Sequence, residues 1–171
     1  MKELALLFIS GALLASCGKS DDGDDTPTSK PPSASTVGEI GDTTLQGITA
    51  FVQKGDYKTW AAEAAVHDST GPHGKVRSFF NATLATSIKA NNTTHPKGSI
   101  SVKELYASDG ATIKGYAVEA KTTDGTGGDT WLWYEGFSPN FNEYYGQGLS
   151  TCTGCHGGGG GTDFVRSGPV T

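Results

Sequence analysis

Residues 99–106, Ser99-Ile-Ser-Val-Lys-Glu-Leu-Tyr106, form a clear strand pattern in this 171-residue chain. The Ile, Val and Tyr side chains favour extended backbone, and the turn-forming residues 91–98 precede them. Because successive side chains of a strand point to opposite faces, Lys103 shares a face with Ser101 and Leu105. The other face carries Ile100, Val102, Glu104 and Tyr106.

Three further segments have the alternation and composition of strands: residues 75–80, 111–122 and 130–137. In the first of them, Arg77 and Phe79 point away from Val76 and Phe80. A short helix is predicted to start at Asn81. The glycine-rich residues 123–129 have the composition of a hairpin loop. Strands joined by short turns predict an antiparallel sheet.

Helical signals precede these strands. Thr43-Thr-Leu-Gln46 fits a capping box, and apolar residues recur at helical spacing until Lys54-Gly55. Asp56 is positioned to cap a second helix that continues through Trp60 to Ala64. The sequence therefore predicts an α+β fold, in which a helical hairpin precedes a mainly antiparallel β-sheet.

The N-terminal residues predict export. Lys2 precedes an apolar run, residues 4–14, which is too short to span a bilayer. Leu14-Ala-Ser-Cys17 is similar to a lipobox, so residues 1–16 are interpreted as a lipoprotein signal peptide and Cys17 as the lipidated N-terminus. The alternative is an ordinary secretory signal. Gly18 is not the aspartate that retains lipoproteins at the inner membrane, which favours a bacterial outer-membrane anchor facing the periplasm.

The remaining composition indicates a linker and one domain. Residues 17–36 contain no large apolar side chain after Cys17, and such a segment cannot bury enough surface to offset the entropy of ordering. Residues 37–171 are long enough for one domain with a modest core. The formal charge of −5 argues against nucleic acid as a partner and against a basic electron-transfer face.

The chemistry-bearing motif is Cys152-Thr-Gly-Cys-His156, the C-x-x-C-H pattern of covalent haem attachment. In this pattern the two thiols form thioethers and the imidazole binds the iron. A zinc site is the first alternative, but the chain has no second Cys pair to complete four ligands. A thioredoxin-like pair is the second, but residues 157–161 are all glycine and disfavour a following helix. Haem c, one per chain, is therefore the predicted cofactor.

The iron has few candidate ligands opposite His156. The only methionine is Met1, which leaves with the signal peptide, so methionine ligation is excluded. The sixth position is therefore open, bound by water, or taken by a lysine or one of three histidines, His67, His73 and His95. An open iron binds small ligands, which favours ligand binding or catalysis over electron relay.

Five segments follow one another along the chain: His73-Gly-Lys-Val-Arg-Ser-Phe-Phe-Asn81, Gly98-Ser-Ile-Ser-Val-Lys-Glu-Leu105, Gly115-Tyr-Ala-Val-Glu-Ala-Lys121, Gly128-Asp-Thr-Trp-Leu-Trp-Tyr134, and the C-x-x-C-H followed by Asp163-Phe-Val165. In their order and spacing they resemble the cytochrome P-460 and cytochrome c-prime-beta family over residues 60–167. The resemblance implies a mainly antiparallel β domain that often forms a homodimer, with a five-coordinate c-type haem bound by His156. It also implies that Lys103 is cross-linked to the haem in the P-460 branch and that Arg77 lines the distal side. The alternative is that both are solvated charges on a sheet.

One position departs from the P-460 pattern. The branch that oxidises hydroxylamine has a distal carboxylate where this chain has Ala117. Glu119 lies two residues on, and a register error or bulge could bring its carboxylate into the pocket. Two functions stay open: hydroxylamine oxidation with a redox partner protein as electron acceptor, and binding of nitric oxide. A third is a lipid-anchored electron-transfer cytochrome with His or Lys as sixth ligand.

Overall fold

The computed structural model describes residues 35–167. The predicted signal peptide, the lipidation site Cys17 and residues 18–34 of the predicted linker lie outside this range. Ser35, which was assigned to the linker, lies inside it. Its carbonyl accepts a hydrogen bond from the Thr43 backbone at 2.9 Å, and its hydroxyl lies 2.8 Å from Thr43 Oγ1. The hydrogen-bonded domain therefore includes Ser35, two residues before the predicted boundary.

The described residues form an α+β fold with a mainly antiparallel sheet, as predicted, and contain three α-helices. The helices are α1 (Leu45–Lys54), α2 (Ala82–Lys89) and α3 (Ser150–His156). The strands are β1 (Ala61–Ala62), β2 (His67–Asp68), β3 (Lys75–Phe80), β4 (Ile100–Tyr106), β5 (Ile113–Lys121), β6 (Trp131–Phe137) and β7 (Tyr144–Gln147). Two 3-10 helices, Asp56–Thr59 and Gly128–Thr130, complete the elements.

All the strands of residues 35–167 belong to one seven-stranded sheet with the order β1-β3-β4-β5-β6-β7, and β2 also pairs with β3. Every pairing is antiparallel. The four strands at the centre, β3 to β6, lie within the four segments predicted from alternation. β7 and the two-residue strands β1 and β2 were not predicted, because such short segments show little periodicity. No helix within residues 35–167 is long and apolar enough to cross a membrane.

The predicted helical hairpin is wrong in its second half. Helix α1 begins after the N-cap Thr44 and ends at Gly55, whose φ of 80° stops it, as the sequence indicates. The second helix is only a 3-10 turn, Asp56–Thr59. Trp60 is extended, and the following Ala61–Ala62 pairs with β3. The hydrogen bonds of the sheet edge therefore replace those of a helix in this segment.

Both faces of the sheet are covered, so all seven residues of β4 are buried. On one face, α1 packs Ile48 and Val52 into a core with Val102 and Val118. On the other face, Phe80, Trp131 and Trp133 pack with Leu84 of α2 and with Val165 near the C-terminus. Alternation along β4 thus reflects two different buried environments rather than a buried and a solvated face.

His95 makes stability depend on pH. Burial lowers the pKa of its imidazole below the ordinary value of about 6.5, although the Asp163 carboxylate opposes the shift. The unfolded chain therefore binds a proton that the folded chain does not, and stability is lost as pH falls through about 6.5. We expect a His95→Gln variant to lose less unfolding free energy than the parent between about pH 7.5 and about pH 5.5. Urea denaturation at both pH values measures this difference.

His67 is a control, because its effect on stability changes with pH in the opposite direction. Its hydrogen bond to Glu63 raises the pKa of its imidazole, so its contribution to stability is present below about pH 6.5 and is lost as pH rises. A His67→Gln variant should therefore lose more stability than the parent on acidification. Equal losses in the parent and in His95→Gln would contradict the assignment to His95.

Candidate functional site

A cavity of about 290 Å³ lies between α3 and one face of the sheet. Its volume is close to the lower end of small-molecule sites, about 300 Å³. Aromatic side chains, including Trp133 and Phe137, form much of its wall. Seven residues singled out in the sequence line it: His73, Lys103, Ala117, Glu119, Cys152, Cys155 and His156.

Strand register explains why these residues meet. Lys103 lies directly opposite Ser78 on β3 and Ala117 on β5. Ala117 in turn lies opposite Glu135 on β6, which lies opposite Tyr144 on β7. Residues directly opposite one another share a face of an antiparallel sheet. A single row of side chains therefore crosses five strands under the C-x-x-C-H helix.

Arg77 does not line this cavity, so the structure does not bring it together with Lys103. Its register partner is Glu104, which lies on the opposite face of β4 from Lys103. The Arg77 guanidinium donates a hydrogen bond to the Glu63 carbonyl at 2.9 Å and lies 5.2 Å from the centre of the Phe79 ring. Neighbouring residues of a strand point to opposite faces, so Ser78, next to Arg77 on β3, is the residue that lies opposite Lys103.

His156 is oriented as an iron ligand requires. Its Nδ1 lies 2.8 Å from the carbonyl oxygen of Phe164, and a donated hydrogen bond there leaves Nε2 with a lone pair. Nε2 has no hydrogen-bond partner among residues 35–167. The ring packs edge-on against Trp133, with the ring centres 4.9 Å apart. A backbone carbonyl on Nδ1 is the usual second partner of a metal-bound histidine.

Glu119 lies next to His156 in the cavity. It is 5% exposed, and its Oε2 lies 3.3 Å from His156 Nδ1. The register along β4 and β5 shifts only between Leu105 and Tyr106, away from this position. The bulge that would have exchanged Glu119 for Ala117 is therefore absent from these two described strands, and Ala117 stays opposite Lys103.

The Lys103 side chain is largely buried, and its amine has no partner among the described residues. It is 9% exposed, and it makes no hydrogen bond or ion pair with any residue of the described chain. Its neighbours across the sheet, Ser78 and Ala117, are small. Lys103 lines the cavity, so its amine is accessible to a guest there.

The two cysteines differ in their surroundings. Both lie on α3, three residues apart and hence on one helix face, and neither forms a disulfide. Burial raises the pKa of the Cys152 thiol to about 11, and the carboxylates of Glu135 and Glu119 add to this shift. A redox C-x-x-C pair works through a thiol whose pKa is lowered, so the raised value disfavours a thioredoxin-like role.

Hydrogen bonds from Arg166 and close packing by Gly128 hold helix α3 in place. Arg166 donates hydrogen bonds from Nη2 to the carbonyls of Cys155 and Gly159, at 2.7 and 2.6 Å. Gly128 of the predicted hairpin loop packs against Thr153 so closely that a Cβ there would collide with its side chain. The five-glycine segment therefore follows the helix, which ends at His156, rather than preventing it.

The three histidines predicted as possible sixth ligands lie at different places relative to the cavity. Only His73, of the three possible sixth ligands, lines the main cavity, and its Nδ1 lies 3.4 Å from Glu135 Oε2. His67 lines an adjoining cavity of about 190 Å³, which Lys103, Cys155 and His156 also line. His95 is buried against Trp131, away from both.

Glu135 and Trp133 are site residues that sequence reasoning missed. Both lie on the β6 face that bears Phe137, so alternation along residues 131–137 contained the signal. Alternation alone does not show which face of β6 lies against the C-x-x-C-H helix. That choice depends on the register between β5 and β6 and on the position of α3.

Comparison with models of protein families, with curated proteins and with solved structures finds no match. The resemblance to the cytochrome P-460 and cytochrome c-prime-beta family therefore stays a prediction. Within residues 35–167, no group of three or more His, Cys, Asp or Glu side chains is placed to hold a metal ion. A c-type haem with an open site needs only one protein ligand to iron, which His156 can provide.

Proposed function

We propose that this protein is a mono-haem c-type cytochrome with an open distal site that acts on small nitrogen species, as the resemblance to the cytochrome P-460 and cytochrome c-prime-beta family implies. Its Cys17 anchors it by lipid to a bacterial outer membrane, on the periplasmic side. The observation that carries the proposal is one cavity lined by Cys152, Cys155, His156 and the partnerless Lys103. Hydroxylamine oxidation is the favoured activity.

The donor set fits haem c. The thiols of Cys152 and Cys155 supply the two thioethers, and Nε2 of His156 supplies the axial bond. The aromatic wall suits a flat apolar macrocycle, and the carbonyl of Phe164 holds the imidazole ring. When bound, the haem supplies an iron that coordinates a small nitrogen compound and accepts its electrons.

Lys103 favours oxidation over simple binding. Its side chain lies beside small neighbours and lines the cavity, and its amine has no described partner, so it is available for the covalent bond to the haem that the P-460 resemblance implies. Oxidation also releases protons and electrons. The electrons need an acceptor protein, and the protons need a base in or near the cavity.

We expect mass spectrometry of proteolytic fragments to find the Lys103 peptide joined through haem to the Cys152–His156 peptide. A Lys103→Arg variant should lose this joined species and keep both thioethers, because the guanidinium is a poor nucleophile. Lys114→Arg is the control, since Lys114 is exposed on β5 beside Phe137 and should leave the joined species intact. The absorption spectrum should change with Lys103→Arg only. A haem peptide that bears only two thioethers in the parent protein would contradict the cross-link.

Nitric oxide binding is the second candidate. Ala117 and the aromatic wall leave part of the cavity apolar, which suits an uncharged diatomic ligand. In this case the haem carries no link to Lys103 and the protein needs no electron acceptor.

The electron-transfer alternative is best supported by His73, because His73 lines the main cavity with His156, whereas His67 meets His156 only in the adjoining cavity. It predicts a six-coordinate, low-spin spectrum that a His73→Ala variant converts to the five-coordinate form. A five-coordinate parent spectrum would exclude it.

A further inference from the structure

One carboxylate of the cavity is largely shielded from water and does not contact His156. Glu135 lies directly across from Ala117 and on the same sheet face as Trp133 and Phe137, which also line the cavity. Its side chain is 15% exposed. A carboxylate therefore lies next to Ala117, one strand away.

The two oxygens of Glu135 are not equivalent. Oε2 lies 3.4 Å from Nδ1 of His73, a residue that also lines the cavity. Oε1 has no hydrogen-bond partner among residues 35–167. One oxygen is therefore oriented by His73 and the other can accept a hydrogen bond from a guest in the cavity.

The other carboxylates of the cavity are less suited to this role. Glu119 is directed at the His156 imidazole, at 3.3 Å. Glu143 lies at the rim and is exposed, so water competes for its oxygens. Of the described carboxylates that line this cavity, Glu135 alone is largely shielded from water and does not contact the proposed iron ligand.

We propose that Glu135 is the specificity-determining residue of this cavity, and that its carboxylate accepts a hydrogen bond from ligands that carry N–H or O–H groups. This inference rests on the proposed function and narrows it. Hydroxylamine has such donors, whereas nitric oxide has none. The class of ligand selected is therefore small hydroxylamine-like compounds, and the small side chain of Ala117 leaves the space between Glu135 and Lys103.

Selection of this kind has a clear energetic basis. A hydrogen bond from a ligand to a shielded carboxylate contributes more than one between neutral groups. A ligand without donors gains nothing from the carboxylate and must desolvate it. Replacing Glu135 should therefore affect the two classes of ligand differently.

The test uses the full-length haem protein and its absorption change on binding. Hydroxylamine is titrated anaerobically, without electron acceptor, and nitric oxide is titrated separately. We expect Glu135→Gln to weaken hydroxylamine binding roughly ten- to a hundredfold and to leave nitric oxide binding within about twofold. Glu135→Asp, which keeps the carboxylate, should retain a larger part of the hydroxylamine affinity. Glu143→Gln is the matched control and should change neither.

Several results overturn the inference. Unchanged hydroxylamine binding by Glu135→Gln does so, as does an equal loss for both ligands or an equal loss in Glu143→Gln. Nitric oxide binding reports an intact haem site in each variant, so a misfolded variant is recognised, and Glu135→Asp then decides. A parent protein without covalent haem overturns the proposed function, and this inference with it. A haem-bearing parent whose Glu135 variants bind hydroxylamine normally overturns this inference alone.

Discussion

A Cys152→Ser/Cys155→Ser double variant is expected to carry no covalently bound haem. A serine hydroxyl does not add to a haem vinyl group as a thiol does, so both thioether bonds are lost. The thiols line the same cavity as His156, and no other cysteine lies within residues 35–167 to replace them. The expected change is from one haem per chain to none, the largest effect on function that two substitutions can have here.

Haem staining after denaturing electrophoresis measures this loss, and the mass of the intact chain confirms it. Cys17→Ser is the matched control, because Cys17 is the remaining cysteine and lies outside the C-x-x-C-H motif. It should keep covalent haem and lose only the lipid. Covalent haem in the double variant, or its absence from the parent protein, would contradict the assignment of these two cysteines.

A Lys121→Met variant is expected to lose about 3–5 kcal/mol of unfolding free energy. Lys121 Nζ lies 2.5 Å from Asp163 Oδ2, and the two side chains are 0% and 3% exposed. Removing the ammonium leaves the carboxylate buried without its charged partner, which is the costly way to break such a pair. A loss of this size is a large share of the about 5–15 kcal/mol that a domain has.

Denaturant unfolding followed by tryptophan fluorescence measures the change. Lys75→Met is the control, since Lys75 makes a 3.0 Å pair with the exposed Asp68, and an exposed pair contributes about 0–1 kcal/mol. Adding Asp163→Asn to Lys121→Met should recover part of the loss, because a neutral amide is cheaper to bury than an unpaired carboxylate. Equal losses in the two lysine variants would contradict a dominant role for the buried pair.

The buried pair also connects stability to the site. Asp163 is followed by Phe164, whose carbonyl accepts the hydrogen bond from His156 Nδ1. Asp163 Oδ2 further accepts a hydrogen bond from the His95 backbone at 2.8 Å. The segment that orients the proposed iron ligand is therefore attached to β5 through Lys121 and to the chain after α2 through His95.

Helices and strands were predicted correctly where their ends depend on residues close together in the sequence. The glycine after Lys54 ended α1 because its left-handed backbone suits glycine. Asn81 capped α2, with its side-chain oxygen accepting a hydrogen bond from the Leu84 backbone. The second helix of the predicted hairpin failed because its residues found hydrogen-bond partners across the sheet instead, at Phe79 and Phe80.

The candidate site was predictable only in part. The C-x-x-C-H motif and Lys103 were visible because one depends on a fixed short spacing and the other on a family resemblance. Alternation along β3 showed that Arg77 and Ser78 lie on opposite faces, but only the register between β3 and β4 shows that Ser78, not Arg77, lies opposite Lys103. Glu135 was missed for the same reason, since its position opposite Ala117 is a pairing between residues 18 positions apart.

The sequence by itself determined the α+β class, the four central strands and the residue types able to hold haem. These follow from side-chain period, turn chemistry and a contiguous motif, all of which act over a few residues. Only the tertiary structure decided that Lys103 and Glu135 share the cavity of His156 and that Arg77 lies behind the sheet. A shift of one residue in strand pairing moves every side chain to the other face, so these choices depend on long-range register and packing.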